Sequence, residues 1–149
     1  MSLSVRPLAA GDRAQWQALY DGYHRFYGRR DLPQSFFDAA FVRLMADDAR
    51  DFHGLVAERD GRLTGLSHHV FHPNLWRPEG VCYLQDLFTD PLARGQGVGR
   101  RLIEAVYAAA DAAGVPAVYW LTAEDNYPGR MLYDRVAVKS PFIRYNRPL

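Results

Sequence analysis

The residues of this 149-residue chain with the clearest chemical potential gather in its second half. Arg94-Gly95-Gln96-Gly97-Val98-Gly99-Arg100 follows an apolar stretch that Asp90-Pro91 stops, and it opens an apolar-periodic segment reaching about Ala113. A strand, a glycine-rich turn and a helix in that order make an anion site. The first amides of the helix have no intrahelical acceptor, and the helix dipole favours negative charge beside them. Glycine at 95, 97 and 99 lets the backbone approach a bulky anion, while Arg94 and Arg100 add charge. A diphosphate is the natural guest, but two familiar diphosphate turns do not fit. A P-loop requires Lys and then Ser or Thr where Arg100-Arg101 stand. A dinucleotide turn requires its third glycine one residue after Gly99, and it follows the first strand of its fold.

The elements that must position this turn can be read from periodicity and punctuation. Leu3–Leu8 reads as a strand, and Asp12 as the N-cap of a helix to about Tyr27 with Trp16, Leu19, Tyr20 and Tyr23 at helical spacing. A second helix carries Phe36, Phe37, Ala40, Phe41 and Leu44. Phe52–Glu58 and Leu63–Phe71 read as a hairpin about Asp60-Gly61. His72–Gly80 reads as a loop, and Val81–Thr89 as the strand that leads into the turn. After the long helix, Gly114 marks its end. Val115–Thr122 is a strand, Pro128–Val136 a helix and Phe142–Arg147 a last strand. The sum is one mixed α/β domain spanning residues 1–149, hairpin-rich at first and strand–helix–strand afterwards.

The turn, with the pattern [RQ]-x-x-G-x-[GA] after a strand ending in Asp-Pro, resembles the acyl-coenzyme A pyrophosphate loop of the GCN5-related N-acetyltransferase superfamily. Tyr83-Leu84-Gln85-Asp86-Leu87-Phe88-Thr89 resembles its central strand, Tyr119–Asn126 the next strand and turn, and Met131–Arg135 the helix carrying the family's tyrosine. Within the superfamily the chain is most similar to the histone-and-polyamine and diamine acetyltransferase branch. The resemblance implies an α/β (α+β) fold with a mixed, mostly antiparallel central sheet, a splayed strand pair at the acyl-CoA site and about four flanking helices. It implies acetyl-CoA as co-substrate, held by Leu87, Phe88 and Thr89 along the pantetheine arm and by Arg94, Gly95, Gln96, Gly97, Val98, Gly99 and Arg100 at the pyrophosphate. Asn126 would contact the cofactor or cap the last helix.

An acceptor amine with a lysine-like pKa is a free base in only about one molecule in 10³ at pH 7, a cost of roughly 4 kcal/mol, so a proton acceptor helps. Related diamine enzymes carry Glu-Asp in the central strand, and this chain has Gln85-Asp86. Asp86, Glu124 or a water held by Gln85 are the alternatives for the base. Tyr133 stands at the family's general-acid position, where a phenol protonates the leaving thiolate. Tyr27 falls to the acceptor side, since the family draws acceptor contacts from the first helices, and Glu124 is the other residue expected to bind substrate. Val136-Ala137-Val138 departs from the Leu-Gly-Phe of relatives, which bears on the turn after the last helix.

Composition narrows the partners. Eighteen basic against seventeen acidic residues leave a net charge of +1, without the basic excess of a nucleic-acid binder. No apolar run reaches the roughly 20 residues of a membrane span, and the N-terminus lacks a signal peptide's apolar core. Cys82 is the single cysteine, which excludes an intrachain disulfide and fits a cytoplasmic setting. The five histidines lack a Cys partner or an H-x-x-x-H helix, so no metal site is expected, and they are candidates to line the acceptor pocket. Three readings remain: acetylation of a small-molecule amine such as a polyamine or amino acid, acetylation of a protein amine, or a catalytically idle acyl-CoA sensor. The apolar Pro141–Tyr145 segment and the dimers of related enzymes point to a homodimer.

Overall fold

The structure, a computed structural model, describes residues 2–149. Five strands form one sheet in sequence order: β1 (Ser4–Pro7), β2 (His53–Arg59), β3 (Arg62–Asn74), β4 (Arg77–Thr89) and β5 (Val118–Tyr119). The first four pair antiparallel and β5 joins β4 in parallel. Four helices flank them: α1 (Arg13–Phe26), α2 (Gln34–Met45), α3 (Val98–Ala112) and α4 (Tyr127–Val136).

Alternation along the strands divides the core in two. One face carries Val56, Leu63, Leu66 and Phe88 against Trp16, Leu19, Tyr20, Phe37 and Phe41 of α1 and α2. The other carries Ala57, Cys82 and Leu84 against Val98, Leu102, Ile103, Val106 and Ala110 of α3, with α4 outside it. The i, i+4, i+8 spacing of Val98, Leu102 and Val106 is what seats α3 on the sheet. Cys82 is fully buried there, and burial pushes its thiol pKa up to about 11. Gly65 is fixed by the same contact. A Cβ on it would stand 2.7 Å from Val98 and 2.9 Å from the Phe88 carbonyl oxygen.

Four expectations change. The segment read as a loop from His72 to Gly80 instead continues the β3–β4 hairpin to an Asn74↔Arg77 pair, with the Asn74 side chain accepting from the Trp76 amide at 2.8 Å. Pro73 and Pro78 fall where the register is irregular, so their missing N–H groups interrupt no regular ladder. Asp12 stands at the start of α1, but its carboxylate makes no cap. It accepts from Arg6 at 2.7 and 2.9 Å and from the Ala9 amide, because a charge-assisted fork outcompetes a neutral amide. The strand expected over Val115–Thr122 shrinks to Val118–Tyr119. The strand expected over Phe142–Arg147 does not form. A strand exists only by pairing, and among the described residues this segment pairs with no strand, leaving Phe142, Ile143 and Tyr145 exposed.

The Gly65 contact yields a test of the fold. Gly65→Ala should cost about 1–3 kcal/mol through overpacking between β3, β4 and α3. Chemical denaturation with an unchanged m-value would measure it, and a loss within error would show that α3 shifts freely.

Candidate active site

The glycine turn sits where β4 gives way to α3. Asp90 accepts from the Leu92 amide and pairs with Arg62, closing a short 3₁₀ turn over Pro91–Ala93. Gly95 (φ 77°) and Gly97 (φ 82°) then take left-handed conformations, and Gly97 begins α3. A Cβ on either would meet nothing within 4 Å, so these glycines are required by backbone geometry rather than by crowding. Gly99 is a different case: a Cβ there would stand 3.1 Å from Leu132, so it lets α4 pack close to α3. Among the described residues the amides of Gly95, Gln96 and Gly97 donate to no backbone carbonyl. The turn therefore presents free N–H groups at a helix start, which fits a diphosphate.

The two arginines of the turn are otherwise engaged. Arg94 lies over the rings of Phe26 and Phe88, each 5.8 Å away, and Arg100 pairs with Glu104 at 2.9 Å. Gln96 accepts from Arg59, which ties the turn to the end of β2. An incoming anion would compete for exposed side chains here, while the backbone amides wait without partners.

Behind the turn, β4 bends. Its pairing with β3 runs Ser67↔Leu87 and His68↔Asp86, then jumps to His69↔Leu84, so Gln85 is an inserted residue. An extra residue inverts the alternation of the strand. Leu84 and Cys82 therefore face α3, whereas Asp86 and Phe88 face α1. On its other edge β4 pairs with β5 only at Cys82↔Val118 and Tyr83↔Tyr119. Beyond Tyr119 the two chains diverge, and the edge of β4 through Leu87, Phe88 and Thr89 has no neighbouring strand. That open edge fits an extended, amide-bearing arm such as pantetheine, added like a strand.

Asp86 is 3% exposed and lies at the base of a cleft of about 710 Å³ between α1, α2 and the β4 bulge. One carboxylate oxygen accepts from the Tyr20 hydroxyl and from His68 Nδ1, each at 2.9 Å. Trp16 Nε1 donates to His68 Nε2 at 3.0 Å, so the His68 proton sits on Nδ1 and points at the carboxylate. Burial alone would push the Asp86 carboxyl up. Hydrogen bonds from His68 and from the neighbouring tyrosine hydroxyls outweigh it and hold the group below the usual carboxylate range. The Tyr20 and Tyr23 phenols are driven far above their ordinary value by burial and by the Asp86 charge. Gln85, exposed at the cleft rim, reaches only weakly toward Asp86 at 3.3 and 3.4 Å.

His24 on α1, and Tyr27 and Arg29 just beyond its end, also line this cleft. Glu124 does not. It lines an adjoining groove of about 700 Å³ with Tyr133, Arg130 and the C-terminal segment, and the two spaces meet along Leu121 and Thr122. Tyr133 packs edge-on to Trp120 at 5.5 Å, and burial, then the nearby Tyr27, pushes its phenol up to about 12. Asn126 caps α4: its Oδ1 accepts from the Gly129 amide, and its Nδ2 donates to Thr122 at 2.9 Å. Arg130 donates to the Glu124 carbonyl.

The structure thus brings Gln85, Asp86 and Tyr27 to one cleft, and Tyr133 and Glu124 to its neighbour. It adds His68, Tyr20 and Trp16, which sequence reasoning placed among core aromatics or pocket histidines. Their signal was faint: His68 and Asp86 are adjacent only through the register of a bulged strand pair.

A bulged central strand, an open strand edge and a helix-start cradle in line together define an acyltransferase. Over residues 16–137 the sequence matches the acetyltransferase (GNAT) family, and the chain belongs to that family. Across 144 residues it is 33% identical to the D-amino-acid N-acetyltransferase HPA3 of Saccharomyces cerevisiae, covering 96% of this chain and 89% of the relative. The fold is shared with the ribosomal-protein-alanine N-acetyltransferase of Brucella melitensis (TM-score 0.82, 18% identity, all of both chains). It is shared too with AAC(6′)-Iy bound to the bisubstrate analogue CoA-S-monomethyl-acetylneamine (TM-score 0.83, 18% identity, 100% of this chain and 99% of the other).

The buried carboxylate predicts energetic coupling. Asp86→Asn and Tyr20→Phe, alone and combined, should show an interaction energy of about 1–2 kcal/mol in a double-mutant cycle read by urea denaturation. Additive losses would mean that the 2.9 Å contact carries no net energy.

Proposed function

We propose that this acetyltransferase transfers the acetyl group of acetyl-CoA to a primary amine of a small molecule seated in the cleft above Asp86. The observation that carries this reading is the cleft itself: an aromatic wall from α1 and α2 faces Tyr83, Gln85 and Asp86 of β4, with the buried Asp86 carboxylate at its base. A space so walled suits a compact amine better than a protein tail. The name of the yeast relative supports an amino acid as acceptor.

Acetyl-CoA supplies an activated thioester carbonyl. The chain's part is to hold and orient. The free amides of Gly95, Gln96 and Gly97, with the helix start at Val98 and Gly99, take the pyrophosphate. Leu87, Phe88 and Thr89 offer main-chain groups to the pantetheine arm, and Asn126 keeps α4 beside it. Asp86 stays ionised at neutral pH, so its charge draws an acceptor ammonium into the cleft. The same low pKa makes it a weak proton acceptor, which assigns proton removal to a water at the Gln85 amide. Tyr133 keeps its hydroxyl proton through the working pH range and gives it from Oη to the leaving thiolate.

Tyr133→Phe should lower kcat about 10²-fold with little change in acetyl-CoA affinity. Because the phenol titrates only near 12, the wild-type acid function should persist to at least pH 10. Thiol release from acetyl-CoA across a pH series, on a panel of polyamines, L- and D-amino acids, aminoglycosides and a lysine peptide, measures both. Full activity of the variant removes the acid role. Tight coenzyme A binding without turnover on any amine favours a sensor.

The exposed Phe142, Ile143 and Tyr145 support a homodimer in which a second copy covers the C-terminal segment. Light scattering should give about twice the chain mass, and Ile143→Asp should return it to monomer; a wild-type monomer at micromolar concentration excludes the dimer. The single buried thiol accords with a cytoplasmic setting.

A further inference from the structure

We propose that the acceptor is an amino carboxylate, and that Arg29 is the residue that binds its carboxylate group at the outer end of the cleft; this rests on the acetyl-transfer reading above. Arg29 follows α1 and lines the cleft. Its guanidinium lies over the Phe36 ring at 5.3 Å and donates to His24 Nδ1 at 3.3 Å. Among the described residues it has no carboxylate partner within 4 Å, whereas the other cleft arginine, Arg43, is paired with Asp51 at 2.9 Å. An arginine stacked on an aromatic ring and left without a counter-ion presents a planar fork of donors to one anionic group.

His24 is the second observation. A guanidinium only donates, so His24 Nδ1 must accept and the ring proton must sit on Nε2. That Nε2 is buried and has no hydrogen-bond partner among the described residues. Burial, with the adjacent Arg29 charge, holds His24 below its ordinary value, so the ring stays neutral and keeps accepting from the guanidinium. The wall thus holds an exposed cation without a counter-ion and, beneath it, a neutral buried ring that accepts from the guanidinium and orients it.

The rest of the cleft sets the second pole. From Arg29 the contacts run His24 to Tyr20, with rings 4.4 Å apart, and Tyr20 to Asp86. Asp86 is the only acidic side chain in the lining, and Tyr20 and His68 already donate to it. A molecule with one ammonium and one carboxylate matches this pair of poles. A polyamine brings two or more cations to a space with one carboxylate and an unpaired guanidinium. The apolar faces of Tyr23, Phe36 and Leu121 leave room for the side chain of an apolar amino acid.

The test uses the full chain, acetyl-CoA, and paired acceptors that differ by the carboxylate alone: L- and D-phenylalanine against 2-phenylethylamine, and L- and D-leucine against isoamylamine, with spermidine alongside. The expected result is a higher kcat/KM for an amino acid than for its decarboxylated partner and for spermidine. Arg29→Gln should cut that preference about 10- to 100-fold through the KM of the acid. Arg29→Lys should restore part of it, and Arg25→Gln, on the outer face of α1, should keep the wild-type ratio. Equal or better use of the decarboxylated amines or of spermidine by the wild type overturns the proposal while leaving the acetyltransferase reading intact. So does an Arg29→Gln loss that falls equally on acid and amine. No turnover on any acceptor removes both.

Discussion

A carboxylate buried at the bend of a central strand constrains everything around it. Desolvating Asp86 costs several kcal/mol, and the charge survives only because donors converge on it. Those donors come from two elements, Tyr20 on α1 and His68 on β3, and His68 is held in turn by Trp16 on α1. Trp16 to His68 and Tyr20 to Asp86 therefore attach α1 to the sheet through hydrogen bonds of defined direction, beside its apolar contacts. The seat of α1, and with it the aromatic wall of the cleft, follows from satisfying one ion. The bulge at Gln85 is the other half of this constraint, because in an unbroken alternation Asp86 would share a face with Leu84.

The two halves of the site are built by different means. The proposed cofactor side consists mainly of main-chain groups: unpaired amides in a glycine turn and the bare edge of β4. Their placement depends on backbone conformation, so many sequences can supply it. The proposed acceptor side is made of side chains from α1, the segment after it and α2. A fold divided in this way can serve unlike acceptors.

What could be read in the sequence was what local chemistry determines. Asp90-Pro91, the three glycines and the apolar stripe of α3 all lie within some twenty residues, and each constrains its own neighbourhood. The hairpin at Asp60-Gly61 was equally plain, since Asp60 and Gly61 both adopt positive φ. The resemblance carried the splay and the role offered for Tyr133. Register was not legible. The bulge at Gln85 depends on pairing between β3 and β4, and so the meeting of His68 with Asp86 had no signature in either strand alone. The hairpin extension past Pro73, and the C-terminal segment that forms no strand, were misread for a similar reason: apolar alternation and turn residues say what a segment favours, not whether a partner edge reaches it. Gly99 and Gly65 show that a glycine can be needed for a helix or side chain packed against it, which only the tertiary structure reveals.

Cys82 gives the chain an unusual silence toward electrophiles. The only sulfhydryl lies sealed beneath α3, and its proton is held well above neutral pH, so little thiolate forms and none of it is reachable. A thioester brought to the proposed site therefore meets no cysteine of this chain to which its acyl group could pass. The same silence makes the surface a blank background, on which one introduced cysteine could carry a fluorescent or spin label at a chosen position while the native residue stays in place.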